Sequence, residues 1–399
     1  MIPELRREFN RRWKPELYSQ LLRRLSEAGG IDVPFRCSET PVFLPSSLLE
    51  KMVRYGQELY QQLAGNREYL AASESAIPNE YRVPNEPEHP LFLQADFGIT
   101  RTEDGTLEPK LVEIQGFPSI YGFQAAMATA YREVYDLPSL DPKLSWLLDG
   151  LDHAHYEMLL RDAILNGHAP EEVVLLEIEP YEQKTLPDFV ATQKITGIKI
   201  ADIRELERRG TKLYLHNVPI KRIYNRVIVD ELVRKRIEAN FNFTDELDVE
   251  WAGHPNWFFR ISKFSLPWFR HPSIPDTWFL SDLGEPPADL QNYVLKPLYS
   301  FAGLGVKIAP SKEEIEAIAP AQRQDFILQR KMDFIPTIDT PSGPTKVEVR
   351  IMYIWTGNRM QPVLPLLRTG RGKMMGVDFN KNLDWVGASA GFFDRGPAK

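Results

Sequence analysis

The chain has 399 residues, 43% of them hydrophobic and 26% charged, with a formal net charge of −7. That length accommodates two or three domains, and the acidic balance argues against nucleic acid or an anionic membrane surface as the main partner. One cysteine, Cys37, excludes a disulfide framework and a cysteine-ligated metal. No apolar run approaches the ~18 residues of a membrane span and no secretory signal core is apparent, so the chain reads as cytoplasmic.

Leu17, Leu21, Leu22 and Leu25 have helical spacing, and Gly29-Gly30 ends that helix. Ser47-Leu48-Leu49-Glu50 reads as a capping box opening a second helix, which Gly65 closes. With the Pro/Glu/Asn-rich crossing segment 71–90, residues 1–90 form a helical N-terminal region. Two apolar runs then flank Glu103-Asp104-Gly105, a strong hairpin signal. Asp96 lies on the first strand; Glu113 and Gln115, at i and i+2, share one face of the second. An Asp, a Glu and a side-chain amide on one sheet face make an all-oxygen set suited to Mg²⁺, the alternative being an ordinary acidic hairpin face. A helix from Gln124 to Val134 completes a unit over 91–149.

Residues 150–245 alternate helix and strand patterns: a helix through Met158-Leu159-Leu160, a strand at Val173–Leu176, a helix near Asp188–Lys194, then strands at Ile198–Ile203 and Thr211–Leu215. This βαβ pattern implies a parallel sheet. Ile223 to Asp230 closes it as a strand running into a loop. Ligands sit at such strand ends, so Tyr224, Asn225, Arg226 and Asp230 are candidate substrate contacts, or an Arg–Asp pair there merely holds the loop. Residues 246–275 are rich in aromatics (Trp251, Trp257, Phe258, Phe259, Phe264, Trp268, Phe269), a composition that favours core packing over base stacking.

Asn292-Tyr293-Val294-Leu295 leads as a strand into Lys296-Pro297, then a glycine loop containing Ala302-Gly303-Leu304-Gly305, then a second strand. Gly303 and Gly305 let the backbone approach an anion, and Lys296 at the loop mouth is a point charge suited to phosphate oxygens; a plain hairpin with a surface lysine is the alternative. Ser311-Lys312-Glu313-Glu314 caps a short helix. Arg368 to Lys373 reads as a basic glycine-rich loop, phosphate-stabilising or simply solvated, and Asp378-Phe379-Asn380-Lys381-Asn382 resembles a metal-binding run by composition. No H-x-x-x-H, G-x-S-x-G or G-x-G-x-x-G pattern supports a zinc hydrolase, a serine hydrolase or a dinucleotide enzyme.

A metal hairpin early and a lysine/glycine loop late resemble the circularly permuted branch of the ATP-grasp superfamily, and within it the synthetase domain of glutathionylspermidine synthase. The resemblance implies a mixed α/β ATP-grasp-like fold, with a parallel-sheet pre-ATP-grasp domain over 150–245 and a nucleotide lid and sheet over 246–399. It implies Mg²⁺ on Asp96, Glu113 and Gln115, with glutamine standing where the family has asparagine. Lys263, in Ile261-Ser262-Lys263-Phe264, corresponds to the first nucleotide lysine and Lys296 to the second. Ala302, Gly303, Leu304 and Gly305 form the lid, Gln329 ends the hinge strand that holds the adenine, and Arg350 reaches the transferred phosphate. Gly116-Phe117-Pro118-Ser119 departs from the run found in glutathionylspermidine synthase. The implied activity is an ATP- and Mg²⁺-dependent ligase joining a small-molecule carboxylate to an amine through an acyl phosphate. A small-molecule kinase or a non-catalytic ATP-binding protein would share the site; the acid, the amine and the oligomeric state stay open.

Overall fold

A computed structural model describes residues 1–299, 305–372, 375–376 and 380–395, the side chain of Asp230 excepted. Helices α1 (Pro3–Arg12) and α2 (Pro15–Gly29) both carry proline in the first turn, where its missing N–H has no helical partner to lose. Gly30 ends α2 in the left-handed region, at φ 70°. A short strand β1 (Val42–Phe43) and helix α3 (Ser46–Ala64) follow. The expected capping box does not form: the helix already begins at Ser46, so Pro45 occupies the N-cap and Ser47 lies inside the first turn.

Strands β2 (Phe92–Arg101) and β3 (Leu107–Gln115) form the expected antiparallel hairpin, with Gly105 at φ 87° in its turn. Helix α4 (Tyr121–Val134) starts three residues before the periodic pattern, because a residue remote in sequence satisfies its first N–H groups. Helix α5 (His153–Leu165), strand β4 (Val173–Glu177), helix α6 (Leu186–Thr196) and strand β5 (Lys199–Asp202) come next. Strands β6 (Leu206–Arg209), β7 (Lys212–Leu215) and β8 (Val218–Ile220) form a separate antiparallel meander. The Thr211–Leu215 run therefore does not join the parallel sheet. Left-handed His216 and Asn217 make the two-residue turn that returns β7 directly onto β8. Strand β9 (Arg222–Asn225), helix α7 (Val229–Lys235) and strand β10 (Glu250–Ala252) complete this part, and the order β10-β9-β4-β5 is parallel throughout.

Helix α8 (Pro255–Arg260) precedes a second four-stranded sheet, antiparallel, made of β11 (Thr277–Phe279), β12 (Tyr293–Pro297), β13 (Lys307–Ile308) and β14 (Phe326–Arg330). The Ser311–Glu314 capping box is present, on helix α9 (Lys312–Glu316). Long strands β15 (Gly343–Trp355), β16 (Met360–Gly370) and β17 (Gly387–Asp394) return to the main sheet, whose order is β1-β17-β16-β15-β2-β3, with two further short strands beside β15 and β17. The first strand of the chain thus pairs, in parallel, with the last described one. Among the described residues no helix is long and apolar enough to cross a membrane.

Alternation along the main sheet decides where a ligand can sit. One face, with Leu93, Ala95, Phe97, Val349, Ile351 and Tyr353, is apolar and packs under α3 with Trp257, Phe258, Phe259, Phe264 and Phe269, so these aromatics are core. The other face is apolar at one end, where Phe92, Met352, Ile354 and Leu364 pack beneath α4 and α5. At its other end it turns charged, through Asp96, Glu348, Arg350 and Arg368.

Candidate functional site

That charged end is one wall of a cavity of about 810 Å³, a volume within the range of small-molecule sites. The β12–β14 sheet forms a second wall, and the ends of β4 and β9 with the start of α4 form a third. Nine Lys and Arg residues but six Asp and Glu line it, so an acidic chain encloses a basic cavity.

On the main sheet Asp96 pairs with Glu113 on one side and Arg350 on the other, while Gln94 faces Gln115. Asp96, Glu113 and Gln115 are therefore brought together, but Asp96 is already engaged. Arg350 donates to its Oδ1 from Nε at 2.5 Å and to its Oδ2 from Nη2 at 2.7 Å, with Nη1 on Gln94 Oε1 at 2.9 Å. Arg368 Nη2 donates to the same Oδ2 at 2.6 Å and also to Glu348. Burial opposes charge on Asp96, yet the two guanidinium groups outweigh it and hold the acid below its ordinary range. Burial and the neighbouring Asp96 push Glu348 the other way, against the pull of Arg368. Arg350, expected at the transferred phosphate, thus spends its fork on an internal carboxylate.

Lys263 lies just after α8, with Nζ 3.1 Å from Glu113 Oε1. Its approach depends on Gly116: Gly116 N donates to Ile261 O at 2.9 Å, and a Cβ there would lie 2.7 Å from Trp257 O. Arg260, beside it, is held by Glu86, Glu74 and Ser73 of the crossing segment. Lys296 is buried and donates to Gln329 Oε1 at 2.7 Å and to Val112 O at 3.3 Å, while Gln329 Nε2 donates to Thr277 Oγ1 at 2.9 Å. Val112 is the extra residue of a bulge in β3, a device that re-aims backbone groups beside sites. Burial, with a smaller push from Lys263 and against the pull of Glu113 and Glu348, brings the Lys296 ammonium down to about 8. Val294 of β12 pairs with Ile308 of β13 as a strand–loop–strand reading requires, and Gly305 has φ 73°. Ala302, Gly303 and Leu304 lie outside the described residues.

On the third wall Arg226 Nη1 meets Asp188 Oδ2 at 2.5 Å, both side chains being almost inaccessible. Asp188 also accepts from the backbone N–H of Ile120 (3.1 Å), Gly122 (2.9 Å) and Phe123 (3.0 Å), which is what starts α4 early. Arg226 thus takes its carboxylate from α6. Of the other three strand-end candidates, Tyr224 is buried with its ring 5.7 Å from Phe92, Asn225 accepts from Val227 N to shape the turn, and the side chain of Asp230 lies outside the described residues. Arg226 lines the cavity beside Glu177, whose carboxyl burial pushes up to about 8.

Glu177 and Glu348 are wall residues that the motifs did not single out, and Arg368 stands in them only as the first residue of a basic loop. Their signal is a charge inside or closing an otherwise apolar strand: Leu175-Leu176-Glu177, Val347-Glu348-Val349 and Leu366-Leu367-Arg368. Arg368 to Gly370 is the end of β16 rather than a loop. Asn380 braces the turn after it by accepting from Arg371 N and Gly372 N; Lys373, Asp378 and Phe379 lie outside the described residues.

No family model matches the chain, and no curated protein matches its sequence. Among solved structures it is similar to a glutathione synthetase-like effector (GSS30) from Globodera pallida in its apo form. The TM-score is 0.58 at 13% identity, over 95% of this chain and 99% of that one. The likeness is one of fold alone, and it does not extend to glutathionylspermidine synthase in particular. The protein has a mixed α/β, ATP-grasp-like architecture.

Proposed function

We propose that the protein is an ATP- and Mg²⁺-dependent ligase that joins a small-molecule carboxylate to an amine. The observation that carries this reading is the convergence of two buried lysines, Lys263 and Lys296, from separate elements onto one cavity whose sheet wall holds Arg350 and Arg368. Such an arrangement positions and neutralises a polyphosphate and a second anion, which is most of what phosphoryl transfer asks of a protein. Lys263 and Lys296 would meet the phosphates, Gln329 and the apolar Val294 and Ile308 would border the base, and Arg368 would orient the acid. A carboxylate oxygen of the acid attacks the γ-phosphorus and ADP leaves; the amine nitrogen then attacks the resulting acyl phosphate and phosphate leaves. Residues 91–149 and 246–399 would supply the nucleotide and phosphate-binding walls, and 150–245 the amine-side wall.

The oxygens of Glu113 and Gln115 fit one Mg²⁺ completed by water and phosphate, and such an ion supplies charge neutralisation at the transferring phosphoryl group. Asp96 does not fit as a ligand, because both its oxygens already accept from guanidinium groups. Among the described residues no three His, Cys, Asp or Glu side chains converge as a metal-holding group. The capture of Asp96 favours one second reading, a nucleotide-binding protein without turnover. ATP consumption with pooled amino acids and polyamines, followed by mass spectrometry, separates the readings: an amide product identifies a ligase, a phosphorylated alcohol a kinase, and ATP binding with no product a binding protein.

A further inference from the structure

Resting on the nucleotide reading of the cavity, we infer that ATP binds here without a divalent cation, because the protein supplies internally the positive charge that a metal would bring. A carboxylate beside a phosphate site repels the ligand unless a cation stands between them. In this cavity the sheet-wall acids already have such cations. Asp96 is held by Arg350 at 2.5 Å and Arg368 at 2.6 Å, Glu113 by Lys263 at 3.1 Å, and Glu348 by Arg368. Two lysines on the walls carry charge beyond this. Lys296 is buried, hydrogen-bonds only the neutral oxygens of Gln329 and Val112, and makes no ion pair among the described residues. Lys346 also lines the cavity with no carboxylate partner among them. Nine lining cations against six lining carboxylates leave an excess of positive charge that a polyphosphate complements and a dicarboxylate metal site would not have.

Affinity for the nucleotide is therefore a property of the side chains, and Mg²⁺ at Glu113 and Gln115 serves turnover. Calorimetry of the whole protein with ATP, once in excess EDTA and once in excess Mg²⁺, tests this. The two dissociation constants should agree within about threefold, whereas a metal bridging phosphate to carboxylate would separate them by about tenfold or more. Lys263→Met, which frees Glu113 from its internal cation, should create the missing dependence: affinity drops in EDTA and is regained in part with Mg²⁺, the loss of the Lys263 phosphate contact remaining in both conditions. A thermal melt checks its fold, and Lys263→Gln substitutes if it does not fold. Wild-type binding only in Mg²⁺ would overturn the inference and leave the nucleotide site standing. Binding in neither condition would overturn the nucleotide reading itself. A Lys263 variant that folds and shows no metal dependence would remove the Glu113–Lys263 pair from the account.

Discussion

Asp96 and Asp188 are both inaccessible carboxylates that hold arginines at the same cavity, and they do opposite jobs. Asp188 directs most of its capacity at backbone, accepting from three N–H groups at the start of α4, and adds Arg226 as a fourth partner. Its cluster locks a helix to a sheet. Asp96 accepts from side chains only, two arginines on two different strands, one of which, Arg368, is 27% exposed on the cavity side. Its cluster sets the charge and aim of groups facing a ligand. A buried ion pair tied into backbone is a fold element, whereas one tied to other side chains on a cavity wall is part of a site.

Breaking the first cluster should have the largest effect. Asp188→Ala leaves Arg226 buried without its carboxylate and three N–H groups unpaired, and should destabilise the protein by roughly 3–5 kcal/mol in urea unfolding. A loss under about 1 kcal/mol would mean water reaches the α4 start and the distinction fails.

Next comes a loss of binding with stability kept. Lys296→Ala should weaken ATP binding by roughly 1.5–3 kcal/mol in calorimetry without lowering the melting temperature, since it removes a buried charge that has no carboxylate partner. Because burial brings Lys296 to about 8, its charge is present below that pH and lost as pH rises through it, so wild-type affinity should fall above about pH 8. Lys296→Arg, which stays charged, should keep its affinity there; an identical decline in both proteins would assign the titration to another group.

Asp96→Asn should cost less than Asp188→Ala, about 1–3 kcal/mol, because water in the cavity can solvate the released Arg368. The sign of its pH dependence is specific. The folded-state acid titrates below its unfolded value, so the ionised carboxylate stabilises the protein above about pH 4 and that stability is lost as pH falls through the folded value. The variant should therefore show a shallower acid limb in its melting temperature, and an unchanged limb would mean Asp96 is not the group that arginines hold ionised.

Gln115→Asn is the smallest change. The side chain sits on the cavity wall with no hydrogen bond among the described residues, so stability should move by no more than about 0.5 kcal/mol. A larger shift in the melting curve would make Gln115 part of the Asp96 cluster and blur the contrast drawn with Asp188.

Local pattern alone placed the β2–β3 hairpin, its Asp-Gly turn, the strand that carries Lys296 and the strand that returns at Lys307–Ile308, the parallel alternation of β4, α6 and β5, and the aromatic core segment. Each depends on residues a few positions apart, where periodicity of 2 or 3.6 and turn chemistry act directly. Tertiary structure decided the partners. Asp96 meets Arg350 and Arg368 across 254 and 272 residues, in a register set by burying Phe97, Val349 and Leu367 on the opposite face. Nothing near Asp96 announces that guanidinium groups instead of a metal will neutralise it. The same holds for Arg226, whose carboxylate comes from Asp188 on α6, 38 residues back in the chain, and for Val42-Phe43, a two-residue run whose place on the main sheet edge depends on the last described strand. A charge within an apolar strand marks a site in sequence; its chemistry is settled only by what the sheet register sets across from it.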